Sequence, residues 1–248
     1  MTPLGRPPNT SLSGTRDTSL IIAIDGPAAS GKSTTARAVA EILGFTYIDS
    51  GAMYRAAALS AIRRGVPFDD AEKLARVAEE ARIELAGLGR GAVLLNDEDV
   101  TTAIRTREVS ETASVVSTVP GVRRALVRQQ RALGERTHCI MEGRDIGTVV
   151  FPDADLKVFL TASARARALR RHAELNEDGT SLDEIEREIE ERDLRDTTRD
   201  DSPLRRADDA VVIDTTSLTI EQQVDRVVEL ARERGATAPA TGRGASRQ

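Results

Sequence analysis

Gly26-Pro-Ala-Ala-Ser-Gly-Lys-Ser33 sets two glycines, a lysine and a hydroxyl at the spacing G-x-x-x-x-G-K-[ST], between the apolar run Leu20 to Asp25 and the stretch Thr34 to Leu43. A buried strand, a glycine-bounded loop and a helix in that order are what a phosphate chain requires of a backbone. The glycines permit dihedrals that a Cβ would forbid and bring N–H groups close to phosphate oxygens, while the helix start adds the positive end of its dipole. Lys32, expected at an exposed loop end, would reach the β and γ phosphates. The Ser33 hydroxyl would sit on Mg²⁺, which prefers oxygen ligands and keeps several waters. Gly26, Pro27, Ala28, Ala29, Ser30, Gly31, Lys32, Ser33 and Thr34 are therefore the candidate residues for a nucleoside triphosphate with Mg²⁺.

Three further groups could do chemistry. Asp49-Ser50-Gly51 and Glu142-Gly-Arg-Asp145 each put polar residues and a glycine after a strand-like run, where open α/β sheets bind ligands. Asp49 and Ser50 could equally cap the following helix, and Asp145 could pair with neighbouring Arg144 and only shape its loop. The third group is Arg165, Arg167, Arg170, Arg171, Arg192, Arg195 and Arg199, seven arginines around the turn Asn176 to Thr180. Arg192, Arg195, Asp196 and Arg199 fall at i, i+3, i+4 and i+7, one face of a continuing helix. A solvated face laced with i,i+4 pairs would look similar, and the glutamates from Glu184 to Glu191 support that. Because the arginines continue past the acidic run, a lid closing over polyphosphate is the functional alternative.

The elements that must position these groups alternate between strand and helix. After the phosphate loop and its helix come a strand at Phe45–Asp49 and a helical run to Arg64. An amphipathic helix at Asp69–Ala81 precedes two short strands, Arg82–Leu85 and Ala92–Leu95, joined through glycines as a hairpin. Helices are expected at Glu108–Ser117 and Gly121–Leu133, strands at Thr137–Met141, Leu156–Leu160 and Ala210–Asp214, and helices at Ser163–Leu175, Leu182–Arg195 and Thr219–Glu233. A hairpin inside an otherwise βα chain marks an insert at about 66–106. The expected organisation is one domain at 20–234, with a core of 20–65, 107–162 and 200–234 and a lid at about 163–199. Segments 1–19 and 235–248, poor in large apolar side chains, are expected to be disordered.

At 248 residues and 40% hydrophobic the chain can bury one substantial core. Its longest apolar run is far short of the roughly 20 residues of a membrane span, and no signal segment precedes it, so it is expected in the cytoplasm. The single cysteine, Cys139, excludes a disulfide framework and is expected to be a buried structural thiol. A net charge of -5 argues against general nucleic-acid affinity. Only Lys32, Lys73 and Lys157 of the 35 basic residues are lysines, and arginine is the side chain that grips phosphate in a bidentate fork.

Taken in order, these motifs resemble the bacterial cytidylate kinases, of the nucleoside monophosphate kinase group, from about Ile21 to Arg232. The resemblance rests on Ile24-Asp-Gly-Pro27 with its loop, Asp49-Ser-Gly-Ala-Met-Tyr-Arg55, Ile104-Arg-Thr-Arg-Glu-Val109, Glu142 through Asp153, Glu191-Arg-Asp193 with Asp196 and Arg199, and Ser202-Pro-Leu204. It implies a five-stranded parallel sheet flanked by helices, with an enlarged monophosphate-binding insert and a lid. It implies phosphoryl transfer from ATP to CMP and dCMP. By the same resemblance Ser50, Arg55 and Arg144 hold the monophosphate, and Ser114, Arg123 and Asp145 read the cytosine. Arg192 and Asp196 meet the ribose and Arg199 supports the pocket. Arg170, Arg171 and Arg195 join Lys32 at the triphosphate.

Phosphoryl transfer asks the protein for positioning and charge neutralisation, so no general base is needed where the acceptor is itself a phosphate oxygen. A different small-molecule kinase, for UMP or another acceptor, would share loop and lid but not Ser114, Arg123 and Asp145. A nucleotide-dependent switch would need a guanine-reading Asn-Lys-x-Asp segment, and no asparagine here precedes a lysine. No stretch reads as a self-association helix, which points to a monomer.

Overall fold

The computed structural model describes residues 19–86, 91–175 and 180–237. The expected segment 1–19 lies almost wholly outside these, as do most of the glycine-rich joint of the hairpin, the turn at 176–179 and the chain beyond Thr237. Five parallel strands form the main sheet: β1 (Ile21–Asp25), β2 (Thr46–Asp49), β6 (Cys139–Gly143), β7 (Leu156–Thr161) and β8 (Val211–Asp214), in the order β2-β6-β1-β7-β8. β1 and β6 are buried along almost their whole length, which accounts for their unbroken apolar runs. Helices α1 (Lys32–Leu43) and α8 (Ile220–Glu233) cover one face, where Val39, Leu43, Val227 and Leu230 pack on Ile22, Ile24 and Val158. Thr219 and Gln222 close a capping box that starts α8.

β3 (Ile83–Ala86) and β4 (Ala92–Leu95) pair antiparallel as expected, and a third strand, β5 (Glu98–Asp99), joins them. The turn into β5 uses Asn96 and Asp97 with φ of 51° and 72°, the two successive left-handed residues that a tight hairpin asks for. This small sheet is not walled off. Ile83, Val93 and Leu95 share one apolar cluster with α2 (Ser50–Arg63), α3 (Ala71–Glu80), α4 (Arg107–Val116) and α5 (Pro120–Gly134).

Two boundaries differ from expectation for tertiary reasons. β6 continues through Glu142 and Gly143, because β1 and β2 pair with it on both sides and place Glu142 opposite Ile24 and Asp49. α7 (Leu182–Thr198), which follows α6 (Ala164–Leu175), runs three residues past Arg195. Beyond α8, Ala236 is buried, and its N–H donates to Ala231 O. Cys139 is fully buried, and burial pushes its thiol up to about 12.

Candidate active site

The loop between β1 and α1 is shaped by its glycines. A Cβ on Gly26 would lie 2.0 Å from Leu160 O, and one on Gly31, at φ +91°, would press on Gln223 of α8. Ala29 holds φ +57° without being glycine. Lys32 lies at the mouth of this loop but is not exposed: it is 5% accessible, and its Nζ donates to Pro27 O at 2.6 Å. The correction follows from α1 beginning directly at Lys32, which folds the side chain back over the loop.

Around Lys32 the strand ends supply charge. Asp25, at the end of β1, accepts from the N–H groups of Ile146 (2.8 Å) and Gly147 (2.7 Å). It thereby ties the phosphate loop to the π-type turn Ile146–Val150 that follows Asp145. Burial raises its carboxyl to about 6, against the lowering effect of those two bonds. Glu142, at the end of β6, accepts from Tyr47 Oη at 2.8 Å and from Ser33, and burial together with Asp49 raises it. Lys32 is pushed well down from the ordinary ammonium value by burial and by the charge of Arg144, with Arg192 adding to it. Arg192 is likewise lowered, by burial and then by Arg144, Arg55 and Arg195. Three cations thus repel one another in a poorly solvated place, which an arriving polyanion would reverse.

That arrangement sets a pH dependence. With Lys32 lowered in the free protein and restored beside bound phosphates, the bound state holds more protons between the lowered value and about 10.4. Binding of a nonhydrolysable nucleoside triphosphate is therefore expected to take up a proton, and affinity to fall as pH rises through that window. Calorimetry at about pH 8.5 in two buffers of different ionisation heat should show the uptake in the native protein and its loss in Lys32→Met. Equal uptake in both would exclude Lys32 as the titrating group.

A second constellation sits beside the first. Arg123, 2% exposed on α5, pairs with Asp145, and its Nη1 donates to Ser117 O at 3.3 Å. Asp145 also has Arg199 at 3.9 Å, while Arg144 pairs with Asp196 at 2.8 Å. The loop-shaping alternative, Asp145 on Arg144, is thus not what forms. Asp196 is held below the usual carboxylate range, because Arg144, Arg192 and Arg199 outweigh its burial. Ser50 Oγ donates to Glu142 O at 2.6 Å, and Asp49 caps α2 through Ala52 N while pairing with Arg55 at 3.0 Å. Both the capping alternative and proximity to the site therefore hold for this strand end. Several buried polar atoms here lack a hydrogen-bond partner: Ser114 Oγ, Tyr54 Oη, Arg123 Nε, Arg192 Nε and Arg199 Nη2. Such atoms are costly in a folded chain and fit a site that receives a polar ligand.

Lys32, Arg144 and Arg192 are brought together, as are Arg123, Asp145, Asp196 and Arg199. The lid arginines are not. Arg170 donates to Thr215 Oγ1 at 3.0 Å and to Thr215 O, while Arg171 and Arg195 are exposed, Arg195 staying close enough to Arg192 for its charge to lower that guanidinium. The sequence pattern assigned no role to Asp25 or Tyr54 and placed Arg167 among the lid arginines. Asp25 carried a signal, a carboxylate directly before the first loop glycine. The other two depend on partners far away in the chain.

A comparison with protein families matches residues 22–233 to cytidylate kinase. A cytidylate kinase of Solibacter usitatus is 49% identical over 227 residues, which cover 90% of this chain and 97% of that protein. One from Caldanaerobacter subterraneus is 49% identical over 214 residues, 86% of this chain and 94% of that one. A bifunctional pantoate ligase/cytidylate kinase of Synechococcus sp. is 49% identical over 220 residues, 86% of this chain and 41% of that longer protein.

Proposed function

The chain belongs to the cytidylate kinase family, and on that premise we propose how its residues divide the work of moving the γ-phosphoryl group of ATP to CMP. The activity itself, ATP and CMP giving ADP and CDP, follows from the family. dCMP is proposed as a second acceptor.

The observation that carries the division is the meeting of the two constellations at the ends of β1 and β6, one rich in buried cations and one holding the Arg123–Asp145 pair. The loop 26–34 and Lys32 hold the donor phosphates. Ser50, Arg55 and Arg144 hold the acceptor phosphate, with Arg144 oriented by Asp196. Ser114, Arg123 and Asp145 read the base, Arg192 and Asp196 meet the ribose, and Arg199 supports Asp145. Lys32, Arg144 and Arg192 neutralise charge as the phosphoryl group passes between two phosphate oxygens. Arg170, Arg171 and Arg195 are proposed to reach the triphosphate only when α6 and α7 shift. Such closure excludes the water that would otherwise take the phosphoryl group.

The Ser33 hydroxyl and the Glu142 carboxylate are oxygen donors in contact with each other, a set suited to Mg²⁺ and its retained waters. Those two residues would hold the ion, which would supply neutralisation of the β and γ oxygens. We further propose a cytoplasmic monomer. Among the described residues no helix is long and apolar enough to cross a membrane, and the large apolar side chains left exposed are Ile42, Phe68, Val115, Leu169, Leu194 and Val212, each on a different helix, strand or turn.

The test is ADP release from ATP with CMP, dCMP, UMP, AMP or GMP as the only acceptor. CMP should give the highest kcat/KM and dCMP the next. A purine monophosphate in first place would overturn the assignment of Arg123 and Asp145.

A further inference from the structure

One buried cation takes no part in either constellation. Arg167, on α6, is 5% exposed, and its guanidinium is divided among three elements. Nε donates to Ala162 O at 3.1 Å, just past β7, Nη1 donates to Ala28 O at 3.1 Å in the phosphate loop, and Nη2 pairs with Asp193 on α7 at 2.6 Å. Beside it, Ala29 of the loop packs on Ala168, Ile185 and Ile189, which form the small apolar core between α6 and α7. The loop and the two helices therefore meet through an apolar seat and one guanidinium, at the position where Ala29 holds its left-handed φ.

A guanidinium with so little access to water cannot replace an acceptor that moves away. A shift of Ala28 must carry Arg167 with it or break the bridge, and Asp193 follows Arg167 for the same reason. Asp193 directly succeeds Arg192 on α7 and lies one turn before Asp196 and nearly two before Arg199, which caps the helix. Its second oxygen, Oδ1, is buried without a hydrogen-bond partner, so Arg167 is what fixes its carboxylate.

We propose that Arg167 is a positioning residue that couples the two substrate sites. Phosphates in the loop fix Ala28 and Ala29. Through Arg167 and Asp193 they fix the face of α7 that carries Arg192, Asp196 and Arg199, so CMP binds more tightly when the donor loop is filled. By linkage the donor must gain equally from CMP. The inference rests on the acceptor roles proposed above for α7.

The test is calorimetric CMP affinity with and without a nonhydrolysable ATP analogue, in the native enzyme, Arg167→Gln, Asp193→Asn and the double variant. In the native enzyme the analogue should tighten CMP binding by about fivefold or more, the lower end of ordinary coupling. In each single variant the tightening should fall below about twofold, the double variant should lose no more than either single, and affinity without the analogue should stay within about twofold. Asp193→Asn keeps the side-chain volume while removing the charge that grips Arg167, so it carries the test if Arg167→Gln does not fold. The proposal is overturned if the native enzyme shows no tightening, if Asp193→Asn keeps it in full, or if affinity falls equally with and without the analogue, the mark of a plain anchor. Failure of the acceptor assignment would show separately, as unchanged CMP affinity in Arg192→Ala.

Discussion

Lys32→Ala is expected to lower kcat by about 10² or more while leaving the melting temperature unchanged or slightly raised. A hundredfold loss corresponds to about 2.7 kcal/mol of transition-state stabilisation, at 1.36 kcal/mol per tenfold. The ammonium is the cation nearest the loop that holds the donor phosphates, and no other buried lysine stands among the described residues to replace it. Stability responds in the opposite direction. Lys32 is lowered by its burial and by Arg144 and Arg192, so removing it frees Pro27 O from one bond but also relieves repulsion among three crowded cations. Holding such a charge ready is a cost the free protein bears for its substrate. Lys32→Met, closer in volume, should match the alanine variant in turnover. Near-native turnover in either folded variant would remove Lys32 from the mechanism.

The phosphate loop was legible in the sequence because its constraints are local. Gly26 and Gly31 are required by backbone approach and by a left-handed φ, and the strand and helix beside them announce themselves by apolar period. The five strands were legible for the same reason. β5 was missed because two residues give no period, although Asn96 and Asp97 carried the turn signal. The arginines could not be sorted from spacing. Arg167 is buried because Ala28, 139 residues earlier, and Asp193 accept from it, and Arg170 is held by Thr215, 45 residues later. Arg195, on the same helix as Arg192, has neither kind of partner and stays exposed, its Nε turned only to Glu191 O of its own helix. The depth of Lys32 is another tertiary outcome, set by how the loop closes over the first turn of α1.

Asp145→Asn is expected to lower CMP efficiency and to narrow the CMP-to-UMP ratio of kcat/KM by at least about tenfold, or about 1.4 kcal/mol of discrimination. Cytosine presents an amino group at position 4 where uracil presents an oxygen. A carboxylate there accepts from the first and faces a lone pair on the second, whereas an asparagine amide can turn to donate to uracil. The Arg123–Asp145 pair complicates the experiment, since both side chains are almost wholly buried and Arg199 stands near the second oxygen. Taking the charge from one partner of such a pair leaves the other poorly compensated, a loss of up to about 3 to 5 kcal/mol when the partner is removed outright. Asparagine keeps the shape and an acceptor for Arg123, so a smaller loss, seen as a lowered melting temperature, is expected. The ratio is immune to that loss, because both acceptors meet the same population of folded enzyme and its fraction cancels. Arg123 would still donate to the acceptor edge that both pyrimidines share, so the variant should not lose pyrimidines as a class. The measurement is kcat/KM for CMP and UMP in native enzyme and variant, below the melting temperature of both. If the two acceptors fall in equal proportion, Asp145 serves only to hold Arg123 and the base is read by another group.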